Sequence, residues 1–104
     1  MTAAAVVSCT EPDTLARAMG RHFGHKVPVE QTGAVTSVFL GAGRFELEPG
    51  ERLLAVRASA ESEDELAEVK RIAENHLARF ARPEALDIDW GVRTVPGEGV
   101  SLDP

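Results

Sequence analysis

Ser62-Glu63-Asp64-Glu65-Leu66-Ala67-Glu68-Val69-Lys70-Arg71-Ile72-Ala73-Glu74-Asn75-His76-Leu77-Ala78-Arg79-Phe80 reads as one amphipathic helix. The fold follows from what that helix must cover. Leu66, Val69, Ala73, Leu77 and Phe80 recur at spacings of three and four, which draws a narrow apolar stripe down one side. Ser62 and Glu65 stand at capping-box spacing. Glu63, Asp64, Glu65 and Glu68 crowd the start, and Arg79 and Arg82 crowd the end, so both ends complement the helix dipole. Pro83 closes the helix.

Upstream lies a run of short strands. Val27 to Thr32 and Val35 to Gly41 flank Gly33. The Gly41-Ala42-Gly43 turn leads into Arg44 to Glu48, where Phe45 and Leu47 point one way and Glu46 and Glu48 the other. That alternation marks a sheet with one wet face. Pro49-Gly50 reads as a type II turn. Arg52 to Ala60 follows, with Leu54, Val56 and Ala58 on one face. Downstream of the helix, Leu86 to Val92 alternates Leu86, Ile88, Trp90 and Val92 with Asp87, Asp89 and Gly91, the pattern of a last strand. Trp90 falls on the apolar side as a core anchor.

At the start of the chain, Thr2 to Cys9 reads as a strand. Thr10 is the expected N-cap of a second helix, with Pro12 in its first turn. Leu15, Met19 and Phe23 recur every four residues as its ridge, and Gly24 is its expected left-handed stop before Pro28.

The order is therefore β-α-β-β-β-β-α-β. Two amphipathic helices need one apolar face, so the predicted fold is an α+β two-layer sandwich. Both helices lie on one face of a mostly antiparallel sheet. Glu46, Glu48, Arg57, Asp87 and Asp89 are expected on the other face. Residues 1–93 make a single domain, and residues 94–104, TVPGEGVSLDP, have no period and read as a flexible tail.

Composition narrows the function. With 17 acidic residues against 11 Lys and Arg, the net charge is −6, and a polyanion such as nucleic acid would be repelled by the average surface. Four Phe, one Trp and no Tyr leave few rings for stacking bases. One cysteine excludes an internal disulfide. Met1 to Thr10 has no basic start and no long apolar run, and no stretch approaches a membrane span, so a cytoplasmic protein without membrane partners is expected.

The histidines are the best candidates for chemistry. His22 follows Met19 by three and precedes Lys26 by four, so it flanks the first ridge. His76 follows Ile72 by four and precedes Phe80 by four, so it flanks the second. With the helices side by side, the two imidazoles meet in the groove, and His25 is placed to join them. The functional reading is a ligand site made of His22, His25, Lys26, Glu30 and His76. The bland reading is a pair of half-buried histidines bonded to backbone or water at a helix seam. No His-x-x-x-His spacing marks a metal site. Lys26 and Glu30 are expected to share a strand face as an exposed, weak ion pair. Cys9 lies before a helix N-terminus, where thiols are often acidified, but its apolar surroundings favour an inert buried thiol. Gly41 and Gly43 lack the following helix and Lys-Ser/Thr of a phosphate loop and read as a hairpin. Asp87 and Asp89 read as a solvated face.

Arg21-His22-Phe23-Gly24-His25-Lys26-Val27-Pro28-Val29-Glu30 resembles the signature of the bacterial family known as domain of unknown function 2218. So does Asn75-His76-Leu77-Ala78-Arg79-Phe80-Ala81 followed by Leu86-Asp87-Ile88-Asp89-Trp90. The resemblance spans roughly residues 3 to 92. It implies an uncharacterised protein, found alone or beside flavin-dependent siderophore-interacting proteins, and hence an accessory role in iron–siderophore metabolism. It supplies no catalytic residue and no cofactor.

Three functions follow as expectations. The favoured one is a binding or accessory module whose partner is a small molecule or a flavin-dependent siderophore-interacting protein. The second is a small enzyme with His22 and His76 as an acid–base pair, although no nucleophile, base and orienting group can be read together. The third is a self-associating subunit, a homodimer through an edge strand or the exposed sheet face.

Overall fold

A strand meander in a computed structural model, which describes residues 1–91, sets the frame. The elements are β1 (Thr2–Ser8), α1 (Pro12–Gly24), β2 (Val29–Thr32), β3 (Val35–Phe39), β4 (Gly43–Gly50), β5 (Leu53–Ala60) and α2 (Glu63–Ala81). The sheet has five strands in the order β1-β5-β4-β3-β2, and every pairing between them is antiparallel. Each strand from β2 to β4 pairs with its successor, and β1 closes on the far side of β5.

Register decides which residues face the helices. Thr36, Leu47, Val56 and Ala5 lie in one row across the sheet, and Val38, Phe45, Ala58 and Ala3 in the next. Phe45, Leu47, Val38 and Val56 are fully buried. They form one core with Leu15, Met19 and Phe23 of α1 and Val69, Ala73 and Leu77 of α2. Each fully buried large apolar side chain contributes about 1.5–3 kcal/mol. Both helices thus cover one face, as the apolar stripes predicted. On the open face, the Arg57 guanidinium bonds Glu46 at 3.2 Å and Glu48 at 3.0 Å, and Arg44 adds a contact to Glu46 at 3.7 Å.

The start of α2 is as expected. The Ser62 hydroxyl accepts from the Glu65 amide at 3.1 Å and donates to the Glu65 carboxylate at 3.2 Å. Ser62→Ala is therefore expected to lower stability by about 1 kcal/mol. Urea unfolding reads it directly, and an unchanged midpoint would show that the cap contributes nothing.

Four local expectations are corrected. Thr10 does not cap α1; Glu11 holds the N-cap position, and its side chain accepts no backbone amide of the first turn. The Thr10 hydroxyl and amide instead donate to Glu84, at 3.0 and 3.1 Å. A tertiary partner has displaced the local one. Gly24 stays within the helix, and His25 ends it at φ −79°. The Phe23 carbonyl accepts from the Lys26 and Val27 amides at 2.9 and 2.8 Å, so no left-handed residue is needed there. Left-handed angles occur at Gly33 (φ 60°) and Arg52 (φ 59°). The β4–β5 turn is Glu51-Arg52, because Gly50 pairs with Leu53. Pro49 is a strand residue; β3 pairs only as far as Leu47, so β4 is an edge there and tolerates proline.

The predicted last strand is the fourth correction. Within Leu86–Gly91, the only sheet contact is a single parallel bridge from Gly91 to Ala4. Leu86, Ile88 and Trp90 are half-buried and Asp87 and Asp89 exposed, so the alternation survives without a ladder. Side-chain packing on α2 holds the segment instead. The Trp90 indole N–H donates to the Glu74 carboxylate, and the Lys70 ammonium lies 5.8 Å from the ring centroid. Trp90 therefore sits at the rim of the core, and Asp87 and Asp89 lie on this segment beyond the sheet. The expected tail, 94–104, lies outside the described residues. Among the described residues, no helix is long and apolar enough to cross a membrane.

Candidate functional site

The ridge of α1 buries Met19 and Phe23, which turns His22 toward the flank that meets α2. Ala73 and Leu77 do the same for His76 on α2. The two half-buried imidazoles meet with ring centroids 5.1 Å apart and planes at 43°. Phe80 packs against His22 at 5.2 Å, and Phe23 against His76 at 4.7 Å. Phe23 in turn meets Phe45 edge-on at 5.5 Å. A continuous set of rings thus runs from the helix seam into the core.

Hydrogen bonding fixes one of the pair. His76 Nδ1 lies 2.8 Å from the Ile72 carbonyl oxygen. A carbonyl can only accept, so Nδ1 carries a proton and Nε2 is left for other partners. The His22 imidazole titrates below its ordinary value. Burial is the first cause, followed by His76, Lys26, Arg79 and His25. A positive charge on His22 is disfavoured both by lost water and by neighbouring bases.

The sign of the linkage is definite. A histidine depressed in the folded state binds its proton more readily when unfolded. Its contribution to stability is present above the unfolded value, 6.5, and is lost as pH falls through the folded value. Proton NMR titration is expected to place His22 below its ordinary value. His22→Gln is expected to flatten the fall in stability on the acid side of neutrality. A His22 titrating at or above the ordinary value would overturn the assignment.

The other predicted residues are placed differently. His25 and Lys26 are exposed in the turn after α1, where both act on His22. Glu30 is exposed on β2 and is separated from them. It lies opposite Ser37, which lies opposite Glu46, so it shares the open sheet face with Arg57. Lys26 precedes the strand, so the expected face shared with Glu30 does not form.

A cleft that no motif announces lies beside the histidines. It has a volume of about 510 Å³ and opens between the start of α1 and the end of α2. Cys9, Leu15, Ala18 and Phe80 supply apolar wall, and Thr10, Thr14, Arg82 and Glu84 supply polar groups. Phe80 belongs both to this wall and to the ring cluster around His22. The Cys9 thiol is buried, and its pKa is pushed up by burial and by the Glu84 carboxylate, so it is not an acidified nucleophile. Among the described residues, no three of His, Cys, Asp and Glu gather as a metal site.

Fold and site together define a small α+β sandwich domain with an aromatic–imidazole seam and an adjoining interhelical cleft. The chain belongs to the bacterial family described as "Uncharacterized protein conserved in bacteria (DUF2218)", whose model matches residues 4–91. It is similar to the protein in the NMR structure of PA4090 from Pseudomonas aeruginosa, at 26% identity and a TM-score of 0.73. That likeness covers 86% of this chain and 93% of the other. No curated protein matches the chain.

Proposed function

We propose that the protein is a binding module that takes a small molecule into the cleft between α1 and α2. One observation carries this reading: the cleft of about 510 Å³ shares Phe80 with the histidine pair. Its size falls in the range of small-molecule sites, and so does its make-up of apolar wall with a few polar groups. The wall supplies burial, while Thr10, Thr14 and Arg82 supply direction. An acid–base role for His22 and His76 would add proton transfer at the same seam. The Cys9 thiol in the adjoining cleft has its pKa pushed up by burial and by Glu84, so it is not an acidified nucleophile for them.

Neutral aromatic fragments are the first probes. Amide-resolved NMR is expected to show shifts concentrated at Thr14, Ala18, Phe80 and His22. Shifts spread over the open sheet face instead would remove the cleft reading. A place in iron–siderophore metabolism, with a flavin-dependent siderophore-interacting protein as partner, is supported by the family resemblance alone. Native mass spectrometry and elemental analysis of protein from its own host test it. Iron or an iron chelate travelling with the chain is the expected result, and protein free of both counts against the link.

A further inference from the structure

Resting on the binding reading above, we infer that the ligand of this cleft is a protonated amine on an apolar body, whose charge pairs with the Glu84 carboxylate. Glu84 follows the end of α2 and lies half-buried in the cleft lining. Its Oε1 accepts from the Thr10 amide at 3.1 Å and from the Thr10 hydroxyl at 3.0 Å. Two donors from the α1 side thus fix where the carboxylate stands. A carboxylate has room for about four such bonds. Among the described residues, none donates to Glu84 Oε2.

The cleft keeps a surplus of negative charge. Glu11 and Glu84 line it against one cation, Arg82. Arg82 is exposed, and among the described residues it forms no ion pair with either carboxylate. The helix ends do not reverse the sign. The start of α1 favours negative charge, and Glu11 and Asp13 already supply it there. The end of α2, where Ala81 lines the cleft, is the negative pole of its helix and favours a cation. At longer range, the net charge of −6 attracts cations to the surface as a whole.

The rest of the lining suits an apolar body. Cys9, Leu15, Ala18 and Phe80 wall the space, and about 510 Å³ admits an aromatic ring with a short substituent. A ring packed on this wall buries its apolar surface, and its ammonium group gains a charge-assisted bond to Glu84. A neutral ligand of the same shape keeps the burial and lacks the charge. An anion meets two carboxylates.

The test compares matched probes on the intact chain. Benzylamine in its protonated form, neutral benzyl alcohol and benzoate are titrated at pH 7 and followed by amide NMR. Benzylamine is expected to bind about tenfold more tightly than benzyl alcohol, a difference of about 1.4 kcal/mol. Benzoate is expected to bind most weakly, and the advantage of the amine is expected to shrink as salt rises. Glu84→Gln keeps an oxygen to accept from Thr10 and removes the charge. It is expected to bring benzylamine down to the level of benzyl alcohol, with thermal melting to check its fold. Arg82→Gln, at an exposed position, removes a like charge from the lining and is expected to tighten benzylamine about twofold without changing benzyl alcohol. Where Glu84→Gln fails to fold, Arg82→Gln decides alone. Equal binding of benzylamine and benzyl alcohol, or an amine preference that survives Glu84→Gln, overturns the cation inference while leaving the cleft reading in place. Benzylamine binding that is unchanged or weaker in Arg82→Gln does the same. Absence of shifts in the cleft with all three probes overturns both.

Discussion

Phe45→Ala is expected to remove about 3–5 kcal/mol of folding stability. Phe45 has no exposed surface and sits mid-row between Val38 and Ala58. Its ring faces Phe23 edge-on at 5.5 Å, beneath the place where α1 crosses the sheet. Truncation removes the burial of the ring and leaves a void that residues on three strands and a helix cannot all close. A domain of this kind has about 5–15 kcal/mol in total, so the loss is a large share of it. Urea unfolding and thermal melting both read it. Phe45→Leu, which keeps most of the volume, is expected to be milder. A loss below about 1 kcal/mol for the alanine variant would mean that the core does not close around this ring. Phe23 also touches His76, so the same change is expected to loosen the seam and shift the histidine resonances.

Gly43→Ala is the second large effect, and its mechanism is different. A Cβ at Gly43 would stand 2.2 Å from the Ser59 carbonyl oxygen and 3.1 Å from the Ala60 Cα, both in the backbone of β5. Neither atom is the free end of a side chain, so relief requires β4 and β5 to part where Gly43 pairs with Ala60. A loss of about 1–3 kcal/mol is expected, in the range of overpacked sites. Gly41→Ala is the control. Nothing lies within 4 Å of a Cβ there, and its φ is not left-handed. It is expected to change stability by less than about 0.5 kcal/mol. Equal melting of the two variants would show that the close approach at Gly43 does not constrain the sheet.

The sequence carried those features that depend on local pattern. The stripe from Leu66 to Phe80 and the alternation at Phe45 and Leu47 each bury the side they predict, because one element's periodicity is enough to choose a face. Features settled by distant partners were not legible. Thr10 has the chemistry of a cap, but Glu84 lies 74 residues away and takes its hydroxyl. Pro49-Gly50 has the composition of a turn, yet pairing with Leu54 and Leu53 keeps both residues in the strand and moves the turn to Glu51-Arg52. Leu86 to Trp90 has the alternation of a strand, but its partner is chiefly the surface of α2.

The site divides along the same line. Flanking positions on two stripes were enough to bring His22 and His76 together once both helices shared a face. Glu30 was misplaced because Lys26 falls in a turn and β2 starts only at Val29, which puts Glu30 on the open side. The cleft had no signature at all. Its walls come from Cys9 to Ala18 and from Phe80 to Glu84, stretches with no shared motif.

The bond between Thr10 and Glu84 also bears on how the molecule assembles. Strands β2 to β5 need only short excursions of chain to find their neighbours, whereas β1 must return to β5, placing Thr2 opposite Ser59. Closure of so long a loop is slow compared with hairpin zippering. The cleft joins segments still further apart in the chain, Cys9 to Ala18 and Phe80 to Glu84, so it exists only after the molecule has closed. Its occupant would therefore act as a clasp on the closed chain, and slower amide exchange in β1 would register it.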